Sequence, residues 1–177
     1  MAIETAPEFP SSGKSDLRSS RDEPPDKGND ERHGYYFEDL SVGMTDVYTK
    51  TITDADIVMF AGVSGDTNPL HLDDEFAKGT RFETRIVHGK LTASLISTVL
   101  GTKLPGPGCI YLSQNLRFLA PVRVGDTVTA RVTVKELLPE KHRARLETVC
   151  TVGDTIVIEG EALVHVPSRE KRRKRAV

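Results

Sequence analysis

Residues 90–100 read Lys90-Leu-Thr-Ala-Ser-Leu-Ile-Ser-Thr-Val-Leu100, and their apolar members Leu91, Leu95, Ile96, Val99 and Leu100 recur at the spacing of one helical face. Gly101 follows as a stop signal, so the pattern predicts a helix over 90–100, apolar enough to be largely enclosed. From Cys109 onward the period drops to two. Thr127–Lys135 sets Val128, Ala130, Val132 and Val134 against Thr127, Thr129, Arg131 and Thr133. His142–Val152 and Thr155–Val166 continue as strands, joined by a tight turn at Gly153-Asp154. Cys109–Phe118 supplies another strand, closed by Ala120-Pro-Val122.

Towards the N-terminus, Met44–Ile52 has the Thr, Val and Tyr content of a strand. Thr53 with Asp56 three positions on is a helix-start pattern, for a helix running towards Val63 with Ile57, Phe60 and Ala61 on its buried face. A loop dense in turn formers covers 64–73, and a short polar helix follows at 74–78. The order is strand, helices, then four strands in a meander. That predicts an α+β fold, a single antiparallel sheet with the 90–100 helix across its concave face.

The rest of the 177-residue chain is bounded by composition. Residues 1–33 are rich in Pro, Ser, Asp and Lys with scattered apolar residues, and are expected to be a disordered extension. Residues 34–168 form the domain, which carries 13 basic and 17 acidic side chains and is mildly acidic. Residues 169–177 hold six basic side chains and one acidic, with no aromatic residue to stack on bases, so a solvated tail is expected and no nucleic-acid partner. No run approaches the ~18 apolar residues of a membrane span, and the start lacks the pattern of a secretory signal; a cytoplasmic setting is expected. Cys109 and Cys150 are too few for a disulfide framework or a four-ligand zinc site and read as small core residues. No Gly-rich loop between a strand and a helix points to a nucleotide.

One stretch concentrates polar groups that folding alone does not require: Gly65-Asp-Thr-Asn-Pro-Leu-His-Leu-Asp73. Asp66 and His71 are five apart with Pro69 between them, a spacing at which a rigid turn can bring a carboxylate and an imidazole to one small volume. Such a pair can hold a water and exchange its protons with carbon. The same residues serve equally well as Asx turns and a satisfied loop histidine, and composition does not separate the two readings. Ile86-Val-His-Gly-Lys90 is the second candidate, because Gly89 at a helix start exposes N–H groups suited to an oxygen that becomes enolate-like. His71, Asp73, Asp74 and His88 are possible metal ligands, but their spacing matches no metal signature and no metal is expected.

Ser64-Gly-Asp-Thr-Asn-Pro-Leu-His-Leu-Asp73, Ile86-Val-His-Gly89, Ala93-Ser-Leu-Ile-Ser97 and Pro121-Val-Arg-Val-Gly-Asp-Thr-Val128 together resemble the MaoC-like (R)-specific enoyl-CoA hydratases and 3-hydroxyacyl-CoA dehydratases, over roughly residues 35–166. The resemblance implies a hot-dog fold, a curved sheet wrapped around a long central helix, with an overhanging loop-helix segment carrying the active site. It implies Asp66 and His71 as the catalytic pair holding the water, Gly89 as the N–H donor to the thioester carbonyl, and Asn68 as a support of the loop. It also implies an acyl pocket lined by Ser97 and Leu100, restricted enough at Leu100 for a short chain of the crotonyl type. His88 and Lys90 border the same substrate site; Lys90 departs from the family's usual Met, and its charge suits a CoA phosphate, a branched or dicarboxylic acyl group, or solvent.

The implied reaction is reversible syn addition of water to a trans-2-enoyl-CoA, giving the (R)-3-hydroxyacyl-CoA. It needs no cofactor beyond the coenzyme A of the substrate. A homodimer or a trimer of dimers is the implied assembly. A hot-dog thioesterase and a non-catalytic acyl-thioester binder are the alternatives, and neither has a use for the paired loop Asp and His.

Overall fold

The computed structural model describes residues 32–170; the expectations for residues 1–31 and 171–177 lie outside them. Nine main elements follow one another: β1 (Thr45–Thr51), α1 (Asp54–Ser64), α2 (Pro69–Leu72), α3 (Asp74–Lys78), α4 (Gly89–Thr102), β2 (Ile110–Phe118), β3 (Thr127–Leu138), β4 (Arg143–Val152) and β5 (Thr155–His165). The five strands form one antiparallel sheet in the order β1-β3-β4-β5-β2.

That order corrects the expected four-strand meander. Strands β3, β4 and β5 do follow one another through hairpins, but β2 pairs with β5 at the far edge, not with β3. The reason is the close approach of two backbones. Gly160 on β5 faces β2, where an added Cβ would collide with the Asn115 carbonyl, and only glycine admits that spacing. At the other edge, hydroxyl pairs Thr45–Thr133, Thr49–Thr129 and Thr51–Thr127 at 2.8–3.1 Å fix the register of β1 on β3.

The helix α4 packs on β1, β3 and β4. Its Leu91, Leu95, Ile96, Val99 and Leu100 are buried with Val128, Ala130, Val132 and Val134 of β3 and with Ala144, Leu146 and Cys150 of β4. Each large aliphatic side chain so buried contributes about 1.5–3 kcal/mol. The helix runs to Thr102, past the expected stop at Gly101, and is capped at Lys103, whose N–H donates to the Val99 carbonyl. Gly101 is exposed and an added Cβ there would meet nothing within 4 Å, so the helix continues through it without a packing demand for glycine. Ile110, Leu112 and Phe118 of the edge strand β2 are exposed.

The segment between β1 and α4 stands over one end of the sheet. Thr53 caps α1 as expected: the Asp56 N–H donates to Thr53 Oγ1 and the Thr53 N–H donates back to the Asp56 carboxylate at 2.8 Å. At the C-terminal end of the domain Arg169 pairs with Asp39 at 2.6 Å, tying the first residue of the basic tail to the fold. Cys109 and Cys150 are free, and burial pushes the Cys150 thiol up to about 12, consistent with an inert core residue.

Candidate active site

The loop 65–73 is shaped by its own sequence. Gly65 ends α1 in the left-handed region at φ 75°, its N–H donating to the Ala61 carbonyl, and turns the chain towards the sheet. The Asp66 N–H then donates to Ser64 Oγ at 3.2 Å, and the Asn68 N–H donates to Asp66 Oδ1 at 3.3 Å. Asn68 caps a short helix that sequence reasoning took as loop: its Oδ1 accepts the Leu70 N–H at 3.1 Å, and Pro69 occupies the first helical position. An Asn-Pro pair in this register is the signal that would have revealed α2. His71 therefore sits on a helical turn, not on a bare loop.

A second segment, 85–89, holds that loop in place. The Nδ1–H of His71 donates to the Ile86 carbonyl at 2.8 Å, because a carbonyl only accepts; Nε2 is thereby left as a lone-pair acceptor. His88, 1% exposed, lies with its ring 3.9 Å from the His71 ring, and its Nε2–H donates to the Asp66 carbonyl at 2.9 Å. Arg85 bonds to Asp54 and Asp74 at 2.8 Å each and to the His71 carbonyl at 3.4 Å, which ties the starts of α1 and α3 to the turn that carries His71. Arg85 gave no signal in the sequence, since its partners lie 31 and 11 positions away.

The structure brings Asp66, His71 and His88 together, with donor atoms within 4.8 Å of one another. Of the residues weighed as metal ligands, Asp73 caps α3 and Asp74 pairs with Arg85, so both are spent elsewhere. The three clustered residues are the set that could hold an ion. His71 and His88 each have one ring N–H donated to a backbone carbonyl, which fixes their rings whatever the cluster binds.

A cavity of about 210 Å³ opens beside His71. Its polar lining is His71, Arg81, Gly89 and Thr92, and its apolar side includes Ile86, Phe118 and Ile158. Gly89 is the first residue of α4, so its N–H lies at the positive end of the helix and at the cavity wall. A side chain at this position would displace a wall of the cavity, since an added Cβ would sit 2.8 Å from the Phe118 ring.

Two expected pocket residues are elsewhere. Ser97 is exposed and Leu100 is in the core, eight and eleven positions beyond Gly89, or about 12 and 16 Å along the helix axis. The cavity lies at the first turn of α4, and only Gly89 and Thr92 of that helix line it. Lys90 is exposed, with Nζ 6.0 Å from the centre of the Phe118 ring.

Residues 42–161 match the family of MaoC like domains. A 3-hydroxybutyryl-CoA dehydratase of Methylorubrum extorquens is 57% identical over 136 residues, which cover 77% of this chain and 87% of that protein. An (R)-specific enoyl-CoA hydratase of Rhodospirillum rubrum is 56% identical, over 76% of this chain and 94% of its own. Among solved structures, the (R)-hydratase of Aeromonas caviae involved in PHA biosynthesis superposes with a TM-score of 0.70 at 49% identity, covering 72% of this chain and 98% of that one. The sheet wrapped on α4 is thus the hot-dog fold. The chain belongs to the MaoC-like dehydratase family.

Proposed function

We propose that this protein is an (R)-specific enoyl-CoA hydratase, adding water reversibly to a short trans-2-enoyl-CoA of the crotonyl type. The observation that carries the reading is that His71 and Gly89 line one small, largely apolar cavity, with a carboxylate oxygen of Asp66 within 4.8 Å of a His71 ring nitrogen. The thioester oxygen faces the Gly89 N–H. A water sits between Asp66 and the free Nε2 of His71, and one member of the pair takes its proton as its oxygen bonds to C3. Electrons of the double bond move towards the thioester oxygen, where the N–H and the helix end stabilise the enolate-like charge. The pair returns a proton to C2 on the same face, which completes a syn addition.

In this reading Asn68 and His88 support the pair, and the chemistry draws on no cofactor. A cavity of about 210 Å³ suits a four-carbon acyl group better than a long chain. The names of the relatives in M. extorquens and R. rubrum support the same reaction. A homodimer or a trimer of dimers belongs to the proposal: among the described residues β2 has no partner on its outer edge, and it exposes Ile110, Leu112 and Phe118, a surface that a second copy would cover. So does a cytoplasmic location, supported by two free cysteines; among the described residues no helix is long and apolar enough to cross a membrane. The test is loss of ultraviolet absorbance from crotonyl-CoA with chiral analysis of the product. The (R)-3-hydroxy thioester is expected; release of free thiol would mean a thioesterase instead, and no turnover would leave a binder.

A further inference from the structure

We propose that Arg81 and Lys90 form a phosphate-binding subsite at the mouth of the cavity, taking a phosphate of the thioester's carrier. The inference rests on the reading of the substrate as an acyl thioester. Coenzyme A and the prosthetic arm of a carrier protein share this chemistry, a pantetheine arm ending in phosphate. The domain that must bind this anion is itself acidic, so local positive charge has to offset the general repulsion.

The cavity has a direction. Its floor is marked by Ile158, 1% exposed, and its opening by Arg81, an exposed residue that lines the same space. With the acyl group towards the floor and the carbonyl at Gly89, the carrier arm leaves past Arg81. The Arg81 guanidinium lies 4.7 Å from the centre of the Phe82 ring, and the Lys90 ammonium 6.0 Å from the Phe118 ring; both rings line the cavity. Each cation therefore lies within cation–π reach of a ring that lines the cavity, Arg81 in the lining itself and Lys90 beside it.

Other cations near the cavity are already engaged. Arg117 pairs with Glu159, and Arg85 with Asp54 and Asp74. Arg123 donates to the Phe82 carbonyl at 3.2 Å and to the Thr84 hydroxyl, so it steadies the backbone that carries Arg81. Among the described residues Arg81 and Lys90 have no carboxylate within ion-pair distance. An unpaired guanidinium on a braced backbone is suited to a phosphate, which it can meet through two N–H groups.

Calorimetric titration of the full chain with pantetheine, 4′-phosphopantetheine and coenzyme A tests this without turnover. Arg81→Gln should weaken coenzyme A by about tenfold or more, Lys90→Gln by less, and pantetheine should bind both variants as it binds the wild type. An Arg81 effect already present with 4′-phosphopantetheine places the contact at the phosphate common to both carriers. An effect confined to coenzyme A places it at the nucleotide phosphates. In turnover the variants should raise KM for crotonyl-CoA with kcat within about twofold. Equal weakening of pantetheine and coenzyme A, or no weakening of either, would overturn the subsite. If the wild type binds coenzyme A but does not hydrate crotonyl-CoA, the hydratase reading fails and the titrations still decide the subsite.

Discussion

Replacing Gly89 by alanine keeps the N–H that the proposed reaction directs at the thioester and adds only one methyl group. That methyl would sit 2.8 Å from Phe118 Cε1 and 3.0 Å from Cδ1, so the ring must retreat by about 0.5–1 Å to reach ordinary contact near 3.5 Å. Phe118 is half exposed at the end of an edge strand, so it can move without breaking the core, and alanine in a helix is favoured over glycine by up to about 1 kcal/mol. The folded state should be as stable as the wild type or slightly more so. The ring, however, is a wall of the cavity, and a shift near 1 Å at the reacting centre costs up to about 100-fold in rate. Gly89→Ala should thus lose about 10- to 100-fold in kcat/KM on crotonyl-CoA with an unchanged or higher melting temperature. Trimming the ring with Phe118→Ala in the same chain should recover part of the loss. Wild-type turnover in Gly89→Ala, or a loss that Phe118→Ala deepens, would refute the reasoning.

Further outcomes follow from the same geometry. Leu100→Ala should destabilise the fold by about 2–5 kcal/mol in denaturant titration and leave the ratio of crotonyl- to decenoyl-CoA turnover unchanged, because Leu100 is core and not pocket wall. His88→Ala should lower kcat by about tenfold or more with little change in KM, whereas His88→Gln, which can still donate an N–H to the Asp66 carbonyl, should recover part of it. Thr53→Ala should cost about 1 kcal/mol of stability through the lost cap of α1. The Asp56 carboxyl is held below its ordinary value, first by the hydrogen bond from the Thr53 hydroxyl. A lowered folded-state value stabilises above the unfolded value near 4 and is lost as the pH falls through the folded one, so the deficit of Asp56→Asn in chemical denaturation should shrink below about pH 4.

The parts of this protein that local chemistry dictates could be read in its sequence. The Thr53–Asp56 cap, the α4 stripe and the alternation in β3 to β5 each arise from residues a few positions apart. The pairing of Asp66 with His71 was readable as a possibility for the same reason, five residues and a proline. What lay beyond reach was set by distant backbone. The place of β2 depends on its contact with Gly160, more than 40 positions on, and the 85–89 segment acts on residues brought to it by the sheet. The misplacement of Ser97 and Leu100 has another cause. Their place in the pocket was implied by the family resemblance, and a position carried over along α4 does not say at which turn of this chain the cavity lies, which is the first.

The central claim is that Asp66 and His71 act on the water together. Its most direct test is the steady-state hydration of crotonyl-CoA by Asp66→Asn and His71→Gln, each checked for native circular dichroism and for coenzyme A affinity. Both variants should keep the affinity of the wild type and lose about 100- to 10,000-fold in kcat. Either variant turning over within about threefold of the wild type would contradict the account.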